Sequence, residues 1–393
     1  MIIAGGVYRE ECIRPQWSRI FGSGGRAAAA VSLLSPGSKL VGYACSRWAE
    51  DARHSMAAFD VTADLKEIDD DIAFHYLHPL GQPELIGMPD MRRPSLVAIG
   101  EVVLRFGFIE GDAVVSAKRA IYDPQNAREV LHFADNGSTA DELAIVLNQS
   151  ELAASVGKGG QDGARELMAR CKADVVIVKN GPDGALIVDR SDAGWVPAYS
   201  SGTIFKIGSG DVFSAAFAHF WGEERFDPAE AADLASRAVA NYVETRNVQI
   251  ERAGLEGRSA QPSSASGKRI YLAGPFFTLG QRWLIEEARR CIEMLGCDTF
   301  SPVHDVGVYG SAVDIAEADL AGLEKCGAVF AIVDGEDAGT LFEIGYARKL
   351  GIPVVALAEN TRPESQTMLD GSGCEVVADF TTAIYRAIWA AHR

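Results

Sequence analysis

Two α/β domains in one chain are the expectation from this sequence, and three observations carry it. Apolar runs of strand length alternate with helical stretches along most of the 393 residues. One segment, Gly254–Gly267, breaks that rhythm with Ser, Gly and Ala and no apolar periodicity. At roughly 100 to 200 residues per domain, the length suits two units. The larger is expected over 1–255 and the smaller over 268–393, with 256–267 as linker.

Composition narrows the class. With 48% hydrophobic residues the chain is of ordinary globular type. Its 54 acidic against 37 basic residues give a net charge of −17, which repels a phosphate backbone or an anionic membrane but leaves room for a small anionic ligand in a locally positive pocket. Apolar runs such as Ala27–Leu34 and Ala328–Val333 fall far short of the roughly 18 residues of a spanning helix. Met1–Gly6 has no basic start or long apolar run and reads as a buried first strand ending in a glycine turn. Seven cysteines without a C-x-x-C pair, and no H-E-x-x-H, argue against a disulfide framework and against a metal site made of protein alone. A reducing cytoplasm is the expected location.

In the smaller domain the elements follow in order. Arg269–Ala273 reads as a strand, Gln281–Leu295 as a helix, Asp298–Phe300 as a strand and Val313–Lys325 as a helix; Ala328–Val333, Thr340–Leu350 and Pro353–Leu357 continue as strand, helix, strand, and Ala383–Ala391 closes as a helix. Such alternation predicts a doubly wound, flavodoxin- or Rossmann-like parallel sheet of order 2-1-3-4-5, with a ligand crevice where the first and third strands end. The loops there are Gly274–Thr278 and Asp334–Gly339. Thr340-x-x-Glu343 before an apolar helix also fits a capping box that merely satisfies helix N–H groups.

Tyr271-Leu-Ala-Gly-Pro-Phe-Phe277, Asp337-Ala-Gly-Thr340 and Phe342-Glu-Ile-Gly-Tyr-Ala347 occur together in this order. The set resembles the nucleoside 2-deoxyribosyltransferase family over 268–393. The resemblance implies that Glu343 is the nucleophile on the anomeric carbon, that Asp337 helps hold the sugar, that Asp319 contacts the base or shuttles its proton, and that Tyr271 orients Glu343. It assigns Gly274, Pro275, Phe276, Gly339 and Thr340 to the nucleoside site, with no cofactor. A carboxylate near a helix N-terminus is expected to stay ionised at neutral pH. The C-terminal run Ile384–Arg393 lacks the Asn and Tyr elements that classical transferases exchange between subunits, which leaves hydrolysis open beside base transfer.

In the larger domain Val175–Val178 and Ala185–Val188 read as strands, and Ala27–Leu34, Ser214–Trp221 and Ala229–Glu244 as helices. Gly208-Ser-Gly-Asp211 stands before an apolar helix, where glycine N–H groups can close on an anion and Asp211 can equally be a plain N-cap. Gly22-Ser-Gly-Gly-Arg-Ala27, Asp123-Pro-Gln-Asn-Ala-Arg128, Asn148-Gln-Ser-Glu151 and Val178-Lys-Asn-Gly-Pro-Asp-Gly184 precede it. Together they resemble the ribokinase-like (PfkB) sugar and nucleoside kinases. That resemblance implies a ribokinase-like α/β fold, Asp211 as the base toward a substrate hydroxyl, and Gly208, Ser209 and Gly210 as an anion hole. It puts Gly24 and Gly25 by the sugar, Asn148 and Glu151 by ATP phosphates and Mg2+, and Gly181 and Gly184 in the same phosphate, ATP or sugar site. Glu10 or Glu11 stands where the family has a sugar-binding Asp, Lys206 stands where it has Asp or Thr, and the stretch before Gly22 is too short for the family's lid hairpin.

The expected protein is therefore a bifunctional enzyme of nucleoside or nucleotide metabolism, both glycosyltransferase or N-glycosidase (hydrolase) and ATP-dependent kinase. The alternative makes the first domain a degenerate sugar or nucleotide sensor gating a nucleotide N-glycosidase, including one that depletes a nucleotide pool. Expected partners are a small nucleoside, nucleotide or sugar and further copies of the chain, with no nucleic acid and no membrane.

Overall fold

A computed structural model of the chain describes residues 1–126, 131–263, 269–307 and 309–393. It divides into two compact units, Met1–Ala260 and Gln261–Arg393. Residues 256–260, expected as linker, are held on the first unit: Arg258 donates to the Ser200 carbonyl at 2.8 Å, and Ala260 makes a bridge to Tyr199. The later part of that linker, 264–267, and residue 268 lie outside the described residues, as do Ala127 and Arg128 of the quoted motifs.

The first unit is built on a nine-stranded sheet. In spatial order its strands are Ala193–Val196, Ala185–Asp189, Val175–Lys179, Thr139–Asn148, Ala113–Asp123, Leu96–Phe106, Ile2–Ala4, Lys39–Cys45 and Thr62–Ile68. All pairings are parallel except the two that involve Ala185–Asp189. Leu152, Ala164 and Leu167, from the Gln149–Val156 and Gly160–Cys171 helices, pack with Tyr122, Leu147, Val176 and Val188 in one core. The Gly22–Val31 helix has every residue buried, as an almost wholly apolar helix must. It begins five residues before the expected Ala27, so Gly24 and Gly25 are helical. The expected Ser214–Trp221 helix is a Ser209–Phe217 helix that runs on into a π-turn, Ala218–Glu223.

The stretch before Gly22, expected to be too short for a lid hairpin, does form an antiparallel pair, which belongs to a second, four-stranded sheet. Its order is Trp17–Ile20, Arg9–Cys12, Ala73–Tyr76, Glu84–Ile86. Two antiparallel pairs, one from each end of the segment 9–86, join through a parallel pairing of Arg9–Cys12 with Ala73–Tyr76. Counting residues before Gly22 finds only the first pair.

The second unit has the expected order. Thr299–Phe300, Ile270–Ala273, Ala328–Ile332, Val354–Leu357 and Glu375–Val377 form one parallel sheet, 2-1-3-4-5 in chain order. Leu323, Ile344 and Ala347, from the Ala312–Leu323 and Ala338–Lys349 helices, fill the core on one face. On the other face Phe380, which opens the Phe380–Ala391 helix, meets Phe330 edge to face.

Candidate functional site

In the second unit, strands Ile270–Ala273 and Ala328–Ile332 are neighbours, and the crevice of a doubly wound sheet opens where they end. Tyr271 stands on the first strand, and its hydroxyl donates to Glu343 Oε1 at 2.7 Å. Burial pushes the Glu343 carboxyl up to about 7; the Tyr271 hydrogen bond opposes this, and the charges of Asp319 and Asp337 add to it. Tyr271 is itself raised, by burial and then by Glu343. Asp319, on the Ala312–Leu323 helix, has a buried Oδ1 with no hydrogen-bond partner, and burial raises its pKa. Tyr271, Glu343 and Asp319 thus form one electrostatic group.

Two expectations change here. The helix starts at Ala338 with Asp337 as its N-cap, accepting from Thr340 N at 2.8 Å and Thr340 Oγ1 at 2.9 Å. Thr340 is therefore the third helical residue, and Glu343 lies in the second turn rather than in a capping box. Out of reach of the first-turn N–H groups and desolvated, Glu343 is drawn toward the neutral form instead of being held ionised. Of the remaining residues, Gly274 packs closely on Ile285 and Ile332, where a Cβ would come within 2.8 Å of Ile285 Cδ1 and 3.2 Å of Ile332 Cβ. Pro275 is buried, Phe276 stacks on the exposed Phe277 at 5.2 Å, and Gly339 is exposed in the first helical turn.

The first unit gathers a denser polar cluster. Asp211, buried in the first turn of the Ser209–Phe217 helix, is not its N-cap; that position belongs to Gly208, at φ +77°. Asp211 Oδ2 accepts from Arg26 Nη1 at 2.6 Å, and Oδ1 accepts from Gln125 Nε2 at 2.6 Å. Arg26 also pairs with Glu10, which is 5% exposed, whereas Glu11 faces His75 near the surface. Glu10, not Glu11, therefore reaches the site. Lys179 Nζ donates to Asp123 Oδ2 at 2.5 Å, and Ser214 Oγ donates to the same oxygen at 2.7 Å. Asp123 Oδ1 is buried without a partner. Burial raises Asp123, against the pull of Lys179, and carries Glu151 up to about 7, so a cation beside these carboxylates would favour the charged form of both.

Asn148 and Glu151 form a local capping box: Glu151 N donates to Asn148 Oδ1 at 2.9 Å and Asn148 N to Glu151 Oε2 at 2.8 Å. Gly24 packs on Gly5, where a Cβ would lie 2.6 Å from the Gly5 carbonyl; Gly25 has no such constraint. Gly181 and Gly184 make the turn between Val175–Lys179 and Ala185–Asp189, closed by Gly184 N to Gly181 O at 3.2 Å. Ser209 Oγ accepts from Lys206 Nζ at 2.9 Å. Arg26, Gln125 and Lys179 carry no role in the motif reading, although each lies in or beside a quoted motif. An Arg among four alanines and glycines in a fully buried helix is the signal that could have marked Arg26.

The first unit thus carries a mixed sheet and the second a parallel one, each with a group of buried titratable side chains. Residues 270–378 match the model of the nucleoside 2-deoxyribosyltransferase family, and residues 121–252 match that of the pfkB family of carbohydrate kinases. The chain thus joins parts of two enzyme families, which supports a bifunctional arrangement. Phosphofructokinase-2 from Escherichia coli, solved in complex with potassium, is 18% identical with a TM-score of 0.50; the match covers 65% of this chain and 96% of that one. This likeness shows the ribokinase-like α/β fold. Fructokinase from Vibrio cholerae O395, solved with fructose, ADP and a calcium ion, is 14% identical with a TM-score of 0.49, covering 65% of this chain and 97% of that one. No curated protein sequence matches the chain.

Proposed function

We propose that the chain is a bifunctional nucleoside- or nucleotide-processing enzyme. Its second unit cleaves or transfers an N-glycosidic bond through Glu343, and its first unit phosphorylates a sugar or nucleoside with ATP. The observation that carries the first half is the Tyr271–Glu343 hydrogen bond beside Asp319, whose buried Oδ1 has no hydrogen-bond partner. In this reading a Glu343 carboxylate oxygen bonds to the anomeric carbon as the C–N bond breaks. Asp319, whose carboxyl burial shifts toward the protonated form, is the group placed to give a proton to the departing base. Tyr271 fixes the attacking oxygen. In the second step the bond to Glu343 breaks and the Asp319 carboxylate takes back a proton: from water, which leaves the free sugar, or from the nitrogen of a second base, which forms a new C–N bond and a new nucleoside. Asp337 and Thr340 hold the helix end against the sugar, with Gly274, Pro275, Phe276 and Gly339 lining the approach.

Incubation with nucleosides, nucleoside monophosphates and NAD, followed by assay of free base, tests this. Release from at least one of them is expected, and Glu343→Gln should slow it by on the order of 10³-fold. No release from any, or equal release by the variant, sinks the claim.

For the first unit, Asp211 takes the proton of a substrate hydroxyl while the helix start at Gly208–Gly210 receives the transferring phosphoryl group. Glu151 and Asp123 would hold magnesium, which supplies charge neutralisation for the ATP phosphates. The reading as a sensor without turnover is favoured by one observation: both Asp211 oxygens are already occupied, by Arg26 and Gln125. ATP consumption that depends on a sugar or nucleoside and is lost in Asp211→Asn supports the kinase; ligand binding without turnover supports the sensor. A pool-depleting role uses the same second-unit chemistry. The reading places the protein in the cytoplasm as a homo-oligomer, acting on small molecules and not on nucleic acid or membranes. No helix among the described residues is long and apolar enough to cross a membrane.

A further inference from the structure

Gln281 has no part in the proposed cleavage, yet its side chain lies between the two loops of the second unit's crevice. Its Oε1 accepts from Phe277 N at 3.1 Å and from Thr278 N at 2.9 Å, and its own N–H donates to Thr278 Oγ1 at 3.3 Å. The Thr278 pair is the capping box of the Leu279–Met294 helix. Two backbone donors on one oxygen fix the amide, because a flip would set its NH2 group against both of them. Nε2 lies 3.6 Å from where a Gly335 Cβ would stand, on the Asp334–Gly339 loop, and among the described residues it has no hydrogen-bond partner. Gly335, at φ +92°, is itself exposed, so the amide meets that loop at an open surface and not in packed core.

The loop that this amide holds is aromatic. Phe277 is 69% exposed, and its ring lies 5.2 Å from that of Phe276 at an interplanar angle of 29°. Arg282 Nε donates to the Phe276 carbonyl at 2.8 Å, so residues 281 and 282 together fix the backbone of both phenylalanines. The carboxylates of the facing loop have other partners: Asp334 accepts from Asn360 N at 3.0 Å, and Asp337 from Thr340 N. An exposed aromatic ring stacks on any nucleobase, whereas an amide held by its oxygen offers donors and nothing else. Affinity and discrimination thus fall to neighbouring residues of one short segment.

We propose that Gln281 Nε2 reads the base of the nucleoside, and that the preferred base carries an oxo group there, as a 6-oxopurine or a 4-oxopyrimidine does, in place of the amino group of adenine or cytosine. This rests on the reading of the second unit as a site of N-glycosidic cleavage. In that reading Asp319 serves the base atoms beside the breaking bond, which leaves the far edge of the base to this amide. An oxo group accepts from Nε2. An amino group sets N–H against N–H and leaves donors on both sides unpaired, and the locked amide cannot turn over to receive it. Glutamate at position 281 keeps one oxygen on the Phe277 and Thr278 N–H groups, as a capping box allows, and presents an acceptor where Nε2 stood.

Base release by the full chain from the ribo- and 2′-deoxyribonucleosides of hypoxanthine, adenine, uracil and cytosine, compared as kcat/KM, tests this. In the purine pair, the pyrimidine pair or both, the oxo base should exceed its amino counterpart by roughly tenfold or more. Gln281→Glu should reverse that order, and Gln281→Met, which has no amide, should bring the ratio near one, with circular dichroism reporting the fold. Ratios within a pair cancel any general effect of a variant on the reacting carboxylates. Calorimetric titration of the Glu343→Gln chain with the same nucleosides, with and without Gln281→Glu, reads the preference apart from turnover. Equal values within both pairs, a wild-type preference for the amino bases, binding of none, or an order that folded Gln281→Glu leaves unchanged overturns the proposal. Preferential binding without base release would count against the glycosidic reading only, and Glu343-dependent release without the preference against this proposal only.

Discussion

Burial drives the Glu343 carboxyl up to about 7 against the pull of the Tyr271 hydroxyl, and the opposing signs separate the roles of the two residues. The hydrogen bond favours the charged form, so Tyr271→Phe should raise the Glu343 pKa further. Base release that needs a Glu343 carboxylate falls as pH drops through about 7 in the wild type; in Tyr271→Phe the acid limb of the pH–rate profile should move to higher pH. An unmoved limb would show that the phenol does not act through this carboxyl. Glu343 and Tyr271 were legible because each sits in a short, specific motif. Arg26 was not, because its partner Asp211 is 185 residues away and no local pattern announces the pairing.

Helix ends show how local chemistry misleads by a few positions. Thr340-x-x-Glu343 has the form of a capping box, yet the working cap is Asp337-x-x-Thr340, three residues earlier. Asp337→Ala should lose about 1 kcal/mol of stability in denaturant unfolding, while Asp337→Asn, an equally good cap, should lose almost none. A drop in base release by the stable Asn variant would isolate the use of the aspartate charge at the sugar. The apolar strands, such as Val175–Lys179 and Ala328–Ile332, were readable from their Val, Ile and Ala runs. Arg9–Cys12 and Glu375–Val377 were not, because strands of three or four residues are too short to show a periodicity, and the first is also largely charged.

Over the whole chain the 54 acidic residues outnumber the 37 basic ones, for a net charge of −17. The chain should therefore not be retained by double-stranded DNA or RNA at about 100 mM salt in a filter-binding assay; salt-sensitive retention would contradict the small-molecule reading. Alternation gave four strands of the second unit and the doubly wound order but not the fifth strand, whereas the nine-stranded sheet draws strands from nearly the whole first unit and only its motifs hinted at it. The small sheet carries a consequence for how the protein is made. Its parallel pairing joins Arg9–Cys12 to Ala73–Tyr76, so half of it emerges from the ribosome long before its partner exists. Its edge must wait, unpaired, for a distant segment. Glu10 lies on that waiting strand, so the Arg26 ion cluster closes only once the long loop does. In pulse-labelling hydrogen exchange, protection of residues 9–12 should lag behind that of the Lys39–Cys45 strand, although the two lie close in sequence.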